Sequence, residues 1–227
     1  MIVTTIAPSS SPAIRFRTAF FDSSGVKLKM NTRFVVAIAS FVLMAWSQPG
    51  VADGDPEIGK QLGFTCLGCH GIEGQRNAYP SFRVPRLGGQ KAEYLTAALQ
   101  AYRAGTRPHP TMRAQAVSIT DEDIDNLVAW IGTFGEARDT ATGEQVAGVA
   151  AAQTCVTCHG ADVVPVQPVP PTLAGQHADY IEHALHAYKD GTRSGNVMNG
   201  FAAALSDADI KMLAKFYSSQ DGLRTLK

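Results

Sequence analysis

Apolar side chains recur at helical spacing in the stretch SITDEDIDNLVAWI, where Ile124, Leu127, Val128 and Ile131 fall on one face. Thr120 opens the stretch and Asp123 stands three residues later, a capping-box arrangement with Asp in place of Glu. The pattern therefore predicts a helix starting at Thr120. ALSDADIKMLAKFY repeats it, with Ser206 and Asp209 in the equivalent places. A second helix is predicted from about Ala92 to Ala104, stopped by Gly105, with Gly191 as its later counterpart. A short helix leads into each of TCLGCHG (65–71) and TCVTCHG (154–160). No alternating segment suggests a strand, so the pattern is all-α.

These correspondences form one internal repeat. GKQLGFTCLGCHG matches VAAAQTCVTCHG at an offset of 89 residues, which becomes 86 beyond a loop; the first copy has three extra residues before Pro85. PRLGGQKAEYL then answers PTLAGQHADYI, and AYRAGTR answers AYKDGTR. The polar stretch GEARDTATG (135–143) divides the copies, predicting two small domains at 53–138 and 139–227. Domains of this size have small cores and commonly need a staple such as a disulfide, a metal or a cofactor.

Ahead of the repeats, Arg33 precedes an apolar run from Phe34 to Trp46, and small residues follow at Gly50 and Ala52. That order predicts a secretory signal cleaved near Ala52, making 1–52 a leader and signal peptide. A run of 13 residues at ~1.5 Å each covers only about two-thirds of a bilayer core. Residues 1–29 are polar and patternless, which reads either as an extended leader or as sequence upstream of a start at Met30. The 227-residue chain is 45% hydrophobic and 18% charged, as expected of a globular protein, with no net charge and no basic run to suggest a nucleic-acid partner. Removing the leader's five basic residues and one acidic residue from totals of 20 and 20 leaves 15 and 19, a net charge of −4. The first domain carries 9 basic and 10 acidic residues and the second 6 and 9, so the excess lies mainly in the second.

All four cysteines belong to the two Cys-x-x-Cys-His motifs. Two thiols at i and i+3 of a helical turn point the same way. They are placed to add to adjacent vinyl groups on a haem edge, and the next residue, His70 or His159, is then carried to the haem face as an iron ligand. Three blander readings compete. A thioredoxin-like disulfide needs a preceding strand in a βαβ setting. A zinc site of four cysteines would ignore the histidines. Structural disulfides suit an exported protein but do not explain a histidine after each pair. The motifs therefore predict two covalently bound haem c groups, held by Cys66 and Cys69 and by Cys155 and Cys158.

The repeat also filters the remaining axial candidates. Met112 and Met198 superpose at offset 86, each in what reads as an irregular stretch before the third helix; they are the expected partners of His70 and His159. Met212 lies on a helical apolar pattern, faces Asn126 in the other copy, and reads as core packing. His109, His177, His183 and His186 have no histidine counterparts and read as surface residues rather than ligands. His/Met ligation raises the reduction potential and leaves no open coordination site, which favours electron transfer over oxygen or peroxide chemistry. A carbonyl near Pro85 or Pro171 is placed to accept the histidine Nδ1–H. Arg107 and Arg193, with Tyr94, Tyr180, Tyr102 and Tyr188, are candidates to bond haem propionates.

With two such units, two downstream methionines and PxLxGQ after each motif, the chain from about Asp53 onward resembles the dihaem cytochrome c4 family. The resemblance implies two class I cytochrome c domains in tandem, packed about a pseudo-twofold axis. It implies a periplasmic electron carrier, not an enzyme, of a kind often loosely associated with the membrane. Its partners would be redox proteins, with electrons passing from a quinol-oxidising cytochrome bc complex to a terminal oxidase. The alternative is a dihaem subunit of a periplasmic dehydrogenase, such as a flavocytochrome c sulfide dehydrogenase. A dihaem peroxidase is a third reading and would need one open haem. The chain departs from the family in its long leader and in the Pro- and Val-rich loop at 163–173.

Overall fold

In a computed structural model of the chain, residues 54–135, 150–159, 170–195 and 197–227 are described. The expected leader, its cleavage near Ala52, the alternative start at Met30, the 138/139 domain boundary and most of the loop at 163–173 lie outside the described residues. Regular structure among the described residues is helical, with two isolated β-bridges and no strand.

The first repeat contains α1 (Pro56–Leu62), α2 (Phe64–His70), α3 (Ala92–Ala104), α4 (Pro110–Ala116) and α5 (Asp121–Gly132). The second contains α6 (Ala150–His159), α7 (Ala178–Lys189), α8 (Val197–Ala203) and α9 (Asp207–Ser218). Both capping boxes are formed: Thr120 and Asp123 at α5, and Ser206 and Asp209 at α9, exchange side-chain and backbone hydrogen bonds. Helix α3 ends at Gly105, whose φ of +77° is the left-handed conformation that glycine adopts without a Cβ penalty. Its counterpart α7 stops one residue earlier than its glycine, at Asp190.

Two expectations need correction. The stretches carrying Met112 and Met198 are the short helices α4 and α8, not irregular chain. Pro110 at the start of α4 needs no N–H partner there, and His109 caps the helix by accepting the Met112 N–H at 3.2 Å. Met212 is 42% exposed rather than core. The buried stripe of α9 is Ile210, Leu213, Ala214 and Tyr217, and Met212 lies about 200° round the helix from Ile210.

Each repeat has its own core. Leu95, Ile124, Leu127, Val128, Trp130 and Ile131 form the first, and Ala152, Ile181, Leu213, Ala214 and Tyr217 form the second. The first core also takes Leu226, from the C-terminal tail of the second repeat. That tail is pinned to both copies. The Leu223 N–H donates to the Ala174 carbonyl at 2.8 Å, Arg224 and Gly88 exchange backbone bonds at 2.9 Å, and the Leu226 N–H donates to the His70 carbonyl at 3.1 Å.

The two repeats also exchange side chains reciprocally. Gln90 bonds both the N–H (2.9 Å) and the carbonyl (3.1 Å) of Thr172, and Gln176 does the same to Arg86 at 2.9 and 3.1 Å. Arg107 donates to the Tyr180 hydroxyl at 2.9 Å, and Arg193 donates to that of Tyr94 at 3.3 Å. Since each member of a pair is the offset-86 equivalent of the other, the exchange relates the repeats by an approximate twofold.

Candidate functional site

Helices α2 and α6 each end on the histidine of a Cys-x-x-Cys-His motif. Their spacing puts Cys66 with Cys69, and Cys155 with Cys158, on one helical face. Cys66 is half-buried and Cys69 exposed. The histidines turn inward, His70 being 9% exposed and His159 6%. Each ring is fixed by one bond: His70 Nδ1 lies 2.8 Å from the Pro85 carbonyl, and His159 Nδ1 lies 2.8 Å from that of Pro171. A carbonyl only accepts, so Nδ1 carries the proton and Nε2 is left with its lone pair. Burial pushes both pKa values below the ordinary histidine range, outweighing the opposing pull of the proline carbonyls. The imidazoles are therefore held neutral, as a metal ligand must be.

Helices α4 and α8 present the methionines at equivalent places. Met112 and Met198 are both half-buried, and α4 packs on α3 as α8 packs on α7. Ahead of Met198, Asn199 braces the loop: its amide donates to the carbonyls of Tyr188 (2.7 Å) and Arg193 (2.9 Å), and its oxygen accepts from the Gly195 N–H (2.8 Å). The four histidines expected at the surface fare differently. His177 is buried at 4% exposure, His109 caps α4, and His183 stacks on Phe82 with centroids 4.0 Å apart; His186 is half-buried. His183 thus packs against the other repeat, and His109 serves as a cap.

Arg107 and Arg193 meet at that interface. Arg107 lies over the Tyr102 ring at 4.6 Å and Arg193 over that of Tyr188 at 4.4 Å. Among the described residues neither ion-pairs with a carboxylate. Burial raises the Tyr94 hydroxyl, but the two guanidiniums together overcome this and lower its pKa.

These residues fit a haem with two covalent attachments. The thiols share a face, the neighbouring imidazole is neutral with Nε2 open, and two cations without carboxylate partners suit an anionic haem edge. The competing readings find less support among the described residues: no strand precedes a motif, and no three His, Cys, Asp or Glu side chains gather to hold an ion. Gln90 and Gln176 are the contributors that sequence reasoning left without a role. Their signal was the repeated glutamine of PxLxGQ.

Comparison with known proteins agrees with this geometry. The cytochrome c family profile matches twice in tandem, at residues 56–134 and 144–221. The chain is 39% identical over 180 residues to cytochrome c4 of Pseudomonas aeruginosa, covering 73% of this chain and 88% of that protein. It is 29% identical over 207 residues to a thiosulfate dehydrogenase electron acceptor of Thiomonas intermedia, covering 83% and 91%. Among solved structures, reduced cytochrome c4 from Pseudomonas stutzeri superposes with a TM-score of 0.58 at 26% identity, over 74% of this chain and 99% of the other.

Proposed function

The chain belongs to the cytochrome c family, in the dihaem form of cytochrome c4, and from that premise we propose that it is a periplasmic carrier of single electrons. It binds two covalent haem c groups and exchanges electrons with redox protein partners. In the proposed reading, Cys66 and Cys69, with Cys155 and Cys158, form the thioether links. His70 with Met112, and His159 with Met198, would hold the iron of each group. When bound, haem iron supplies reversible one-electron chemistry; the chain fixes ligand orientation and keeps small molecules from the metal. Arg107 and Arg193 neutralise the propionates. Residues 1–52 export the chain before the haems are attached.

The single observation that carries this reading is the twice-repeated neutral imidazole, with Nδ1 on a proline carbonyl 2.8 Å away and Nε2 open beside a paired-cysteine turn. The donor in this reading is a quinol-oxidising cytochrome bc complex and the final acceptor a terminal oxidase. A second reading is favoured by the likeness to thiosulfate dehydrogenase electron acceptors: the chain would take electrons from a periplasmic dehydrogenase oxidising a sulfur compound.

A pyridine haemochrome assay should return two haems per chain, and the reduced protein should not bind carbon monoxide. Carbon monoxide binding to one haem would replace the carrier with an enzyme such as a peroxidase. Stopped-flow reduction then separates the donors. Faster reduction by the cytochrome bc complex with quinol supports the first reading, and reduction by a thiosulfate dehydrogenase alone supports the second.

A further inference from the structure

We propose that Gln176 is a positioning residue for His70, and Gln90 for His159, so that each repeat sets the reduction potential of the haem in the other. The inference rests on the reading that these histidines ligate iron.

The Pro85 carbonyl that accepts the His70 Nδ1–H belongs to the Pro85–Arg86 peptide unit. The N–H of that same unit, on Arg86, donates to Gln176 Oε1 at 2.9 Å. The second repeat reproduces the arrangement: Pro171 accepts from His159, and the Thr172 N–H donates to Gln90 Oε1 at 2.9 Å. One polarisable peptide therefore separates each of these histidines from a glutamine of the opposite repeat. A hydrogen bond accepted from a peptide N–H moves electron density toward its carbonyl oxygen. The oxygen then holds the Nδ1 proton more strongly and makes the imidazole a better donor to the metal. A more basic histidine stabilises the oxidised iron and lowers the potential.

The amide orientation is settled by a second donor. Gln176 Oε1 also accepts from the His177 N–H, and Gln90 Oε1 from the Lys91 N–H, both at 3.0 Å. An oxygen receiving two N–H donors cannot be the NH₂ group. Each Nε2 closes a ring by donating to the next carbonyl, of Arg86 or Thr172, at 3.1 Å. Gln176 and Thr172 are both 4% exposed, so little water is available to substitute for these bonds. A glutamine serving only to glue the repeats could bond any backbone group. These two bond the one peptide that carries the histidine's acceptor.

The test is a redox titration of the holo-protein followed by proton NMR, in which hyperfine-shifted resonances report each haem separately. Gln176→Leu removes the acceptor, and should raise the potential of the first repeat's haem by roughly threefold in its reduction equilibrium, about 28 mV at ~59 mV per decade for one electron. The second repeat's haem should not move. Gln176→Glu keeps an acceptor of greater negative charge and should shift the same haem the opposite way; it also carries the test if the leucine variant fails to fold. Gln90→Leu should act on the second repeat's haem alone. Equal shifts of both haems, or a Gln176 effect confined to its own repeat, would overturn the proposal. So would unchanged potentials in both Gln176 variants. If the wild-type spectra instead lack histidine ligand resonances, the ligand assignment itself fails, a result distinct from the others.

Discussion

At the level of single residues, each half of the proposed iron-binding pair is prepared by a different device. The histidine is prepared by burial and by one carbonyl, which together select a neutral ring with a defined tautomer. The methionine is prepared by a helix start: His109 takes the Met112 N–H, and Gly195, itself held by Asn199, takes the Met198 N–H at 2.9 Å. A thioether has no proton to anchor it, so the backbone around it must do the holding. If Met198 is a ligand, Met198→Ala should open one haem to carbon monoxide and lower that haem's potential by well over ~59 mV, one decade for a one-electron couple. Spectroelectrochemistry of the variant checks this. A potential unchanged from wild type, with the iron still six-coordinate, would remove Met198 from the site.

Among the elements, what was legible in the sequence follows from where the signal is local. Helices α3, α5 and α9 have amphipathic stripes, and α5 and α9 are opened by capping boxes, so their starts and the buried face of α5 could be read directly, whereas Met212 lies off the buried stripe of α9. The histidine's carbonyl partner was also readable, because Pro85 and Pro171 repeat in register. Helices α4 and α8 were not foreseen, since seven residues give barely two turns and no periodicity to count. The Gln176–Arg86 bond, spanning 90 residues, has no local signature at all. Helix α1 shows how a contact between elements can hang on the absence of one side chain. A Cβ at Gly59 would run into the Asn126 carbonyl and the Trp130 side chain of α5. Backbone cannot step aside as a flexible side-chain end can, so Gly59→Ala should cost about 1–3 kcal/mol. Gly132→Ala, where a Cβ would meet nothing within 4 Å, should be neutral or stabilising by up to ~1 kcal/mol. Denaturant midpoints of the two variants test this, and similar values for both would contradict the close approach of α1 to α5.

Over the whole molecule, the C-terminal tail makes the two repeats one body. Leu226, 1% exposed, completes the first repeat's core although it belongs to the second, and its N–H caps the carbonyl of His70. The tail's outer edge is tied through Glu73, which accepts from the Thr225 hydroxyl and from Arg86 at 2.6 Å; Arg86 in turn reaches the Gly175 carbonyl of the second repeat at 2.6 Å. The Thr225 bond, then the Arg86 bond, bring the Glu73 pKa down from its ordinary 4.5 to about 2. Because the folded-state pKa is the lower one, the unfolded chain binds the extra proton between these values. The contribution of Glu73 is therefore fully present above pH 4.5 and drains away as the pH falls through about 2. With its side chain 47% exposed, solvent screening keeps that contribution modest. Other carboxylates titrate in the same window, so the informative quantity is the difference between wild type and Glu73→Gln. Denaturant midpoints measured from pH 6 down to pH 2 should lie higher for wild type at the neutral end and converge toward the acid end. Parallel profiles with a constant gap would mean that Glu73 holds the tail by shape and not by charge, and that acid does not loosen this clasp between the repeats.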